Sequence, residues 1–224
     1  MAIIDRLDIL YEDNHIIVVV KPENILSQGD SSGDDSMLDI VKEYIKVKYN
    51  KPGNVYLGLV HRLDRRVSGV MVFAKTSKAA SRLSEAIRNN EFIKKYKAIV
   101  VGKVVEAGKL VHYLDKKDGI AIESKKDGKE SVLFYNVLKN FQLDNCIFSV
   151  LDIDLITGRY NQIRKQLSLI NHPIVNDFKY SYVGKNYEDQ LGLRCYKLSF
   201  PHPITKEIIT FEKDYDNFWK KFIN

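Results

Sequence analysis

Short, nearly unbroken apolar runs separated by polar stretches rich in Asn, Asp and Gly dominate the chain, and helical spacing is confined to a few segments. Ile9 to Tyr11 and Ile16 to Val20, separated by Asp13-Asn14, read as two strands joined by a turn. Ser27 to Ser36 is polar and reads as a loop. Met37 to Tyr49 carries Met37, Ile40, Val41, Tyr44, Ile45 and Val47 at helical spacing, with Asp35 or Ser36 placed to cap it. Ser77 to Arg88 reads as a second helix, capped by Thr76 or Ser77 and turning Leu83, Ala86 and Ile87 inward. Gln162 to Ile170 and Asp216 to Phe222 complete the helices. Tyr56 to Val60, Tyr96 to Val104, Val132 to Phe141 and Cys146 to Ile153 read as strands. Asp118-Gly119 and Asp127-Gly128 mark turns in a lysine-rich hairpin region. Strands outnumber helices and do not alternate with them regularly. The class predicted is α+β, around a mixed, largely antiparallel β-sheet flanked by helices.

At 224 residues and 45% hydrophobic, the chain has enough apolar material for one sizeable core. Composition changes this picture in two ways. The formal charge of +6 and pI near 9.1 suit a polyanionic partner without establishing one. The charge is gathered in three places: Arg62, Arg65 and Arg66; Lys94, Lys95 and Lys97; and Lys116, Lys117, Lys125, Lys126 and Lys129. Much of the third group suits an ordinary solvated surface. Cys146 and Cys195 lie in apolar stretches and read as reduced core residues, neither disulfide-bonded nor metal-binding. The N-terminal segment holds Asp5, Arg6 and Asp8 with no apolar signal region, and Ile16 to Val20 is too short to span a bilayer. A cytoplasmic protein without membrane contact is expected.

Chemistry concentrates in His61-Arg62-Leu63-Asp64-Arg65-Arg66-Val67-Ser68-Gly69, where one acid sits among three arginines between two apolar runs. A carboxylate in such surroundings is expected to be ionised and oriented. Asp is also common in turns for its bonds to nearby backbone amides, so the segment alone leaves a structural role open. Two further stretches bear on the choice. One is Lys94-Lys95-Tyr96-Lys97-Ala98-Ile99-Val100-Val101-Gly102. The other is Thr157-Gly158-Arg159-Tyr160-Asn161-Gln162-Ile163-Arg164, followed by His172-Pro173-Ile174-Val175-Asn176-Asp177. Together, in this order, they resemble the RluA family of RNA pseudouridine synthases. Tyr11-Glu12-Asp13 through Lys21-Pro22, and Leu198-Ser199-Phe200-Pro201-His202-Pro203, resemble that family's opening and closing segments, so the likeness covers nearly the whole chain.

The resemblance implies the pseudouridine synthase fold, here as a single catalytic domain over 1–224 with no separate N-terminal RNA-binding domain. It implies an isomerase that converts a specific uridine of structured RNA, a tRNA or ribosomal RNA stem-loop, with no cofactor, no metal and no obligatory protein partner. It assigns the reacting carboxylate to Asp64, a cationic partner of that carboxylate to Arg164, and a ring stacked on the target uracil to Tyr96. An ordinary phenol is a poor base at neutral pH, so packing suits Tyr96 better than proton transfer. His61, Arg62, Arg159 and Ile163 fall in the motifs as substrate-binding residues, with Arg62 suited to phosphate or to the space left by an extruded base and Ile163 to the base's other face. Several positions depart from the pattern: Val67 for Thr, Asn161 and Gln166 for His, Asn176 for Gly and Arg194 for His. They bear on RNA specificity more than on catalysis. A catalytically silent RNA-binding or ribosome-assembly protein with the same fold is the alternative, and the intact Asp64, Tyr96 and Arg164 set argues against it.

Overall fold

The structure, a computed structural model, describes residues 7–213 and 217–223. It divides into two compact units, Met1–Ile93 with Cys195–Lys213, and Lys94–Arg194 with Asp214–Asn224. The first unit contains β1 (Asp8–Glu12), β2 (Ile16–Lys21), α1 (Met37–Lys48), β3 (Gly58–Leu59), β4 (Ser68–Ala74) and α2 (Ser77–Arg88). The second contains β6 (Gly108–Lys117), β7 (Ile120–Glu123), β8 (Lys129–Leu143), β9 (Cys146–Leu155), α3 (Gln162–Leu169), a 3-10 turn (Phe178–Tyr180) and α4 (Asn217–Ile223). Most of β5 (Ile93–Val101) belongs to the second unit and most of β10 (Leu193–Pro201) to the first, which ends with β11 (Ile208–Glu212). The α+β class expected from the sequence is observed.

In the first unit the strands run in the order β1-β2-β4-β10, with β3 also on β4 and β11 on β10. The continuous apolar runs of β2 and β4 follow from this central position, because every residue of β4 and all but one of β2 is buried. Gly69 has φ +140°, and a Cβ there would lie 2.1 Å from the Cys195 carbonyl oxygen, so β4 tolerates no side chain at this point. Ser36 caps α1 and Thr76 caps α2, each accepting from the third backbone N–H beyond it. α1 buries Met37, Ile40, Val41 and Ile45, whereas α2 buries Ala79, Leu83 and Ala86 and leaves Ile87 half-buried.

The second unit is an antiparallel sheet in the order β5-β9-β8-β6-β7. Its Asp118-Gly119 and Ser124–Gly128 turns fall where the Asp-Gly pairs predict them, with Asp118 left-handed at φ 49°. β5 stops at Val101 and not at Val104, because Gly102 turns the chain away with φ 87°. Phe218, Trp219 and Phe222 from α4 pack with Ile99, Phe148, Val175 and Tyr182 in a core that is aromatic for this reason. Burying each such ring contributes about 1.5–3 kcal/mol before entropy is counted. Asp216, expected to open this helix, lies outside the described residues. One expectation is corrected: Cys195 is a buried free thiol, but Cys146 is an exposed one. It follows the left-handed pair Asp144 and Asn145, and that tight turn keeps the start of β9 at the surface.

Candidate active site

Asp64 lies in the first unit on the segment between β3 and β4, and it is half-buried. The backbone on both sides of it is tied to the 21–27 stretch. The Leu63 N–H donates to Ser27 Oγ at 3.0 Å, and that hydroxyl donates to the Leu63 carbonyl at 2.7 Å. Lys21 Nζ donates to the Arg65 carbonyl at 2.9 Å and to the Pro22 carbonyl at 2.8 Å. The Asp64 carbonyl itself accepts from the Val67 N–H at 3.0 Å, closing the turn. Arg65 adds a side-chain strut, with Nε on the Asn24 carbonyl at 3.2 Å and Nη1 on Asp34 at 2.7 Å. Val67 is buried and needs no hydroxyl for these bonds.

Lys21 has no exposed surface, and burial pushes its ammonium down to about 7 although Glu23 and Asp64 favour the charged form. His61 is buried beside Phe92, with ring centroids 5.3 Å apart, and its Nε2 accepts from the Val72 N–H at 3.1 Å. That geometry spends the imidazole on holding β4 to the turn. Arg62, in contrast, is exposed.

In the second unit Tyr96 is buried on β5, 6% exposed, opposite Ile153 of β9. Arg159, Ile163 and Arg164 gather at the start of α3, where Arg159 is exposed and the other two are buried. Asn161 opens this helix in a left-handed conformation, φ 48°, without a side-chain cap, its amide donating to the Tyr180 hydroxyl at 3.0 Å. Gln162 and Gln166 form a buried amide chain that fastens the helix to β8. Gln162 Nε2 donates to the Val132 carbonyl at 3.1 Å and to Gln166 Oε1 at 3.0 Å, and Gln166 Nε2 donates to the Ser131 carbonyl at 2.9 Å. An amide at 166 supplies an acceptor and donors in one group, which accounts for Gln at this departure from the family pattern. Arg164 is gripped by Asp177, with Nε to Oδ2 at 2.8 Å and Nη2 to Oδ1 at 2.7 Å.

The basic clusters divide. Lys95 pairs with Asp154 at 2.8 Å and Lys97 approaches Asp152 at 3.6 Å, so their charge is largely balanced within the sheet. Lys116, Lys117, Lys125, Lys126 and Lys129 are exposed along the hairpin. Lys116 and Lys179 both lie over the Tyr160 ring, 4.7 and 5.8 Å from its centroid. Among the described residues no group of three or more His, Cys, Asp or Glu side chains is arranged to hold a metal ion, and no helix is long and apolar enough to cross a membrane.

The class of protein follows from comparison with known families and folds. The family model described as RNA pseudouridylate synthase matches residues 15–169. The chain is 32% identical to ribosomal large subunit pseudouridine synthase C of Buchnera aphidicola subsp. Baizongia pistaciae, over 96% of this chain and 70% of that one. It is 35% identical to an uncharacterized RNA pseudouridine synthase of Mycoplasma genitalium, over 88% of this chain and 64% of the relative. It is 34% identical to ribosomal large subunit pseudouridine synthase D of Yersinia pestis, over 78% of this chain and 52% of the relative. The chain thus spans between about half and 70% of the length of these relatives. Its fold resembles human RNA pseudouridylate synthase domain containing 4, with TM-score 0.78 and 23% identity over 97% of this chain and 92% of that one. The chain belongs to the RluA family of RNA pseudouridine synthases.

Proposed function

We propose that the chain isomerises a specific uridine of structured RNA to pseudouridine, with Asp64 supplying the reacting carboxylate. The observation that carries this reading is the double fastening around Asp64. Leu63 is bonded through both backbone groups to Ser27, and Arg65 through its carbonyl to Lys21. A carboxylate that acts on a buried reacting atom must be presented at fixed geometry, and a turn tied on both sides does so without reorganisation.

The reaction breaks the bond between N1 of uracil and C1′ of ribose, turns the base, joins C5 to C1′ and releases the C5 proton. Asp64 acts as nucleophile or as base in this sequence. The family resemblance gives Tyr96 the ring that stacks on the turned base, Ile163 its other face and Arg164 the part of the carboxylate's cationic partner. A target base in folded RNA must leave its stack, at a cost of a few kcal/mol, and Arg62 and Arg159, both exposed, suit the flanking phosphates. No step in this scheme calls on a metal or redox cofactor. His61, tied into β4, serves the turn in this reading and not the RNA.

The relatives named for the ribosomal large subunit make large-subunit ribosomal RNA the first substrate to test, with tRNA beside it. Purified protein is incubated with each RNA carrying tritium at C5 of uridine, and release of tritium to water is followed. Release from one RNA at a single position is expected. Tight binding without release from any would favour the silent RNA-binding alternative.

A further inference from the structure

Arg164 is held by groups that the reaction scheme does not use. Its Nε and Nη2 form two parallel bonds with the Asp177 carboxylate, at 2.8 and 2.7 Å. A planar fork bound at two points to one carboxylate loses both rotation and tilt. The Tyr180 ring lies against the guanidinium, 5.0 Å from Arg164 Cζ to the ring centroid. The Tyr180 hydroxyl is itself fixed, accepting from Asn161 Nδ2 at 3.0 Å and from the Ala121 N–H at 2.8 Å. Asp177 is 0% exposed and Tyr180 3%.

Asp177 does not depend on its own side chain for its place. Its N–H donates to the Ile174 carbonyl at 3.0 Å, and its carbonyl accepts from Tyr180 and Tyr182 at 2.9 and 3.2 Å. Asn176, just before it, is left-handed at φ 63°. The Asn176 amide donates to the carbonyls of Tyr187 and Gln190 at 2.7 and 2.6 Å and accepts from the Tyr187 N–H at 3.0 Å. The carboxylate therefore stands on a turn that is bonded on every side. Such rigidity is more than charge balance requires. A buried Arg–Asp pair is a weak source of stability, since desolvation offsets most of the attraction, and what it does supply is a fixed direction.

We propose that Asp177 is a positioning residue, which with Tyr180 sets the orientation of the Arg164 guanidinium for its part in the reaction. This inference rests on the role proposed for Arg164. It differs from a purely structural role in one respect: its effect passes through Arg164 alone.

The test compares Arg164→Met, Asp177→Asn, Asp177→Glu and the double variant Arg164→Met/Asp177→Asn in single-turnover tritium release at saturating RNA. RNA affinity and thermal unfolding are measured beside it. Asp177→Asn should slow the rate about 10- to 100-fold, the scale of a small misplacement at a reacting centre. Affinity should stay within about threefold, because phosphate contacts carry it. In the Arg164→Met background, Asp177→Asn should cost no further rate. Asp177→Glu keeps the charge and displaces it by one methylene, so it carries the test should the Asn variant fail to fold, with the same loss of rate at retained affinity expected. A wild-type rate in the Asp177 variants, with Arg164→Met slow, would overturn this inference and leave the proposed function standing. Full additivity of the two losses would overturn it as well, by showing that Asp177 acts without Arg164. A wild-type rate in Arg164→Met would instead remove Arg164 from the mechanism.

Discussion

Replacing Lys21 by Met retains much of the side-chain volume and removes the buried ammonium that fastens the Asp64 turn. Lys21 is fully buried, and burial lowers its ammonium from the ordinary 10.5 to about 7. At ~1.4 kcal/mol per pH unit the difference amounts to about 5 kcal/mol. The unfolded lysine holds its proton up to about 10.5, the folded one only to about 7, so unfolding takes up a proton between these limits. Wild-type stability from this residue is therefore flat below pH 7 and rises with pH above it, at up to ~1.4 kcal/mol per unit. Met has no such dependence. Near neutrality the variant escapes the cost of burying an ammonium but leaves the Arg65 and Pro22 carbonyls short of a donor, at about 1–3 kcal/mol each, and these effects largely offset. By about pH 9 the wild type should have gained roughly 3 kcal/mol on the variant. Urea unfolding followed by circular dichroism, at several values from about pH 6.5 to about pH 9, measures this directly. Parallel stability curves for wild type and Lys21→Met would refute the reasoning, because they would mean that Lys21 keeps its proton in the folded chain.

Glu12 accepts from Lys48 and Lys75 at 2.7 Å and from Tyr49 at 2.8 Å; burial opposes its charge, but these bonds hold its carboxyl down at about 2. Its contribution to stability is complete above about pH 4.5 and is lost as pH falls toward 2, so Glu12→Gln should flatten the acid limb of the unfolding curve. Gly69→Ala drives a Cβ to 2.1 Å from the Cys195 carbonyl oxygen, and a loss of about 3 kcal/mol or more, or insoluble expression, is expected; an unchanged melting temperature would contradict it. RNA affinity should fall about tenfold or more between roughly 50 and 200 mM salt, because the exposed hairpin lysines and Arg62 must displace counterions, and a flat dependence would remove them from the interface.

What the sequence made legible follows from what is local. β2, α1 and α2 announce themselves through an unbroken apolar run, helical spacing and Ser or Thr caps, and the structure bounds them within a residue or so of expectation. β6 escaped because Val111 and Tyr113 stand exposed between the inward Leu110 and Leu114, so no clean alternation marks it. β7 is four residues long, too short to carry a period. The 61–69 motif is contiguous and legible as chemistry, but its supports are not. Ser27 bonds residue 63 across 36 positions and Lys21 reaches residue 65 across 44, and no local pattern encodes either. Asp177 sat within a recognised motif without a role, since only folding shows which acid the Arg164 fork meets. Lys95 and Lys97 looked like free cationic surface until the register of β5 against β9 set them beside Asp154 and Asp152.

In the proposed function one carboxylate, Asp64, carries the reaction while RNA binding is spread over the rest of the surface. Asp64→Asn replaces one carboxylate oxygen by an amide nitrogen and leaves the Ser27, Lys21 and Val67 bonds to the turn's backbone intact. Tritium release and RNA affinity are measured on the same preparation with the substrate RNA. No detectable release is expected, with an affinity within about threefold of wild type. Release at the wild-type rate would contradict it outright, and would move the chemistry to a group other than Asp64.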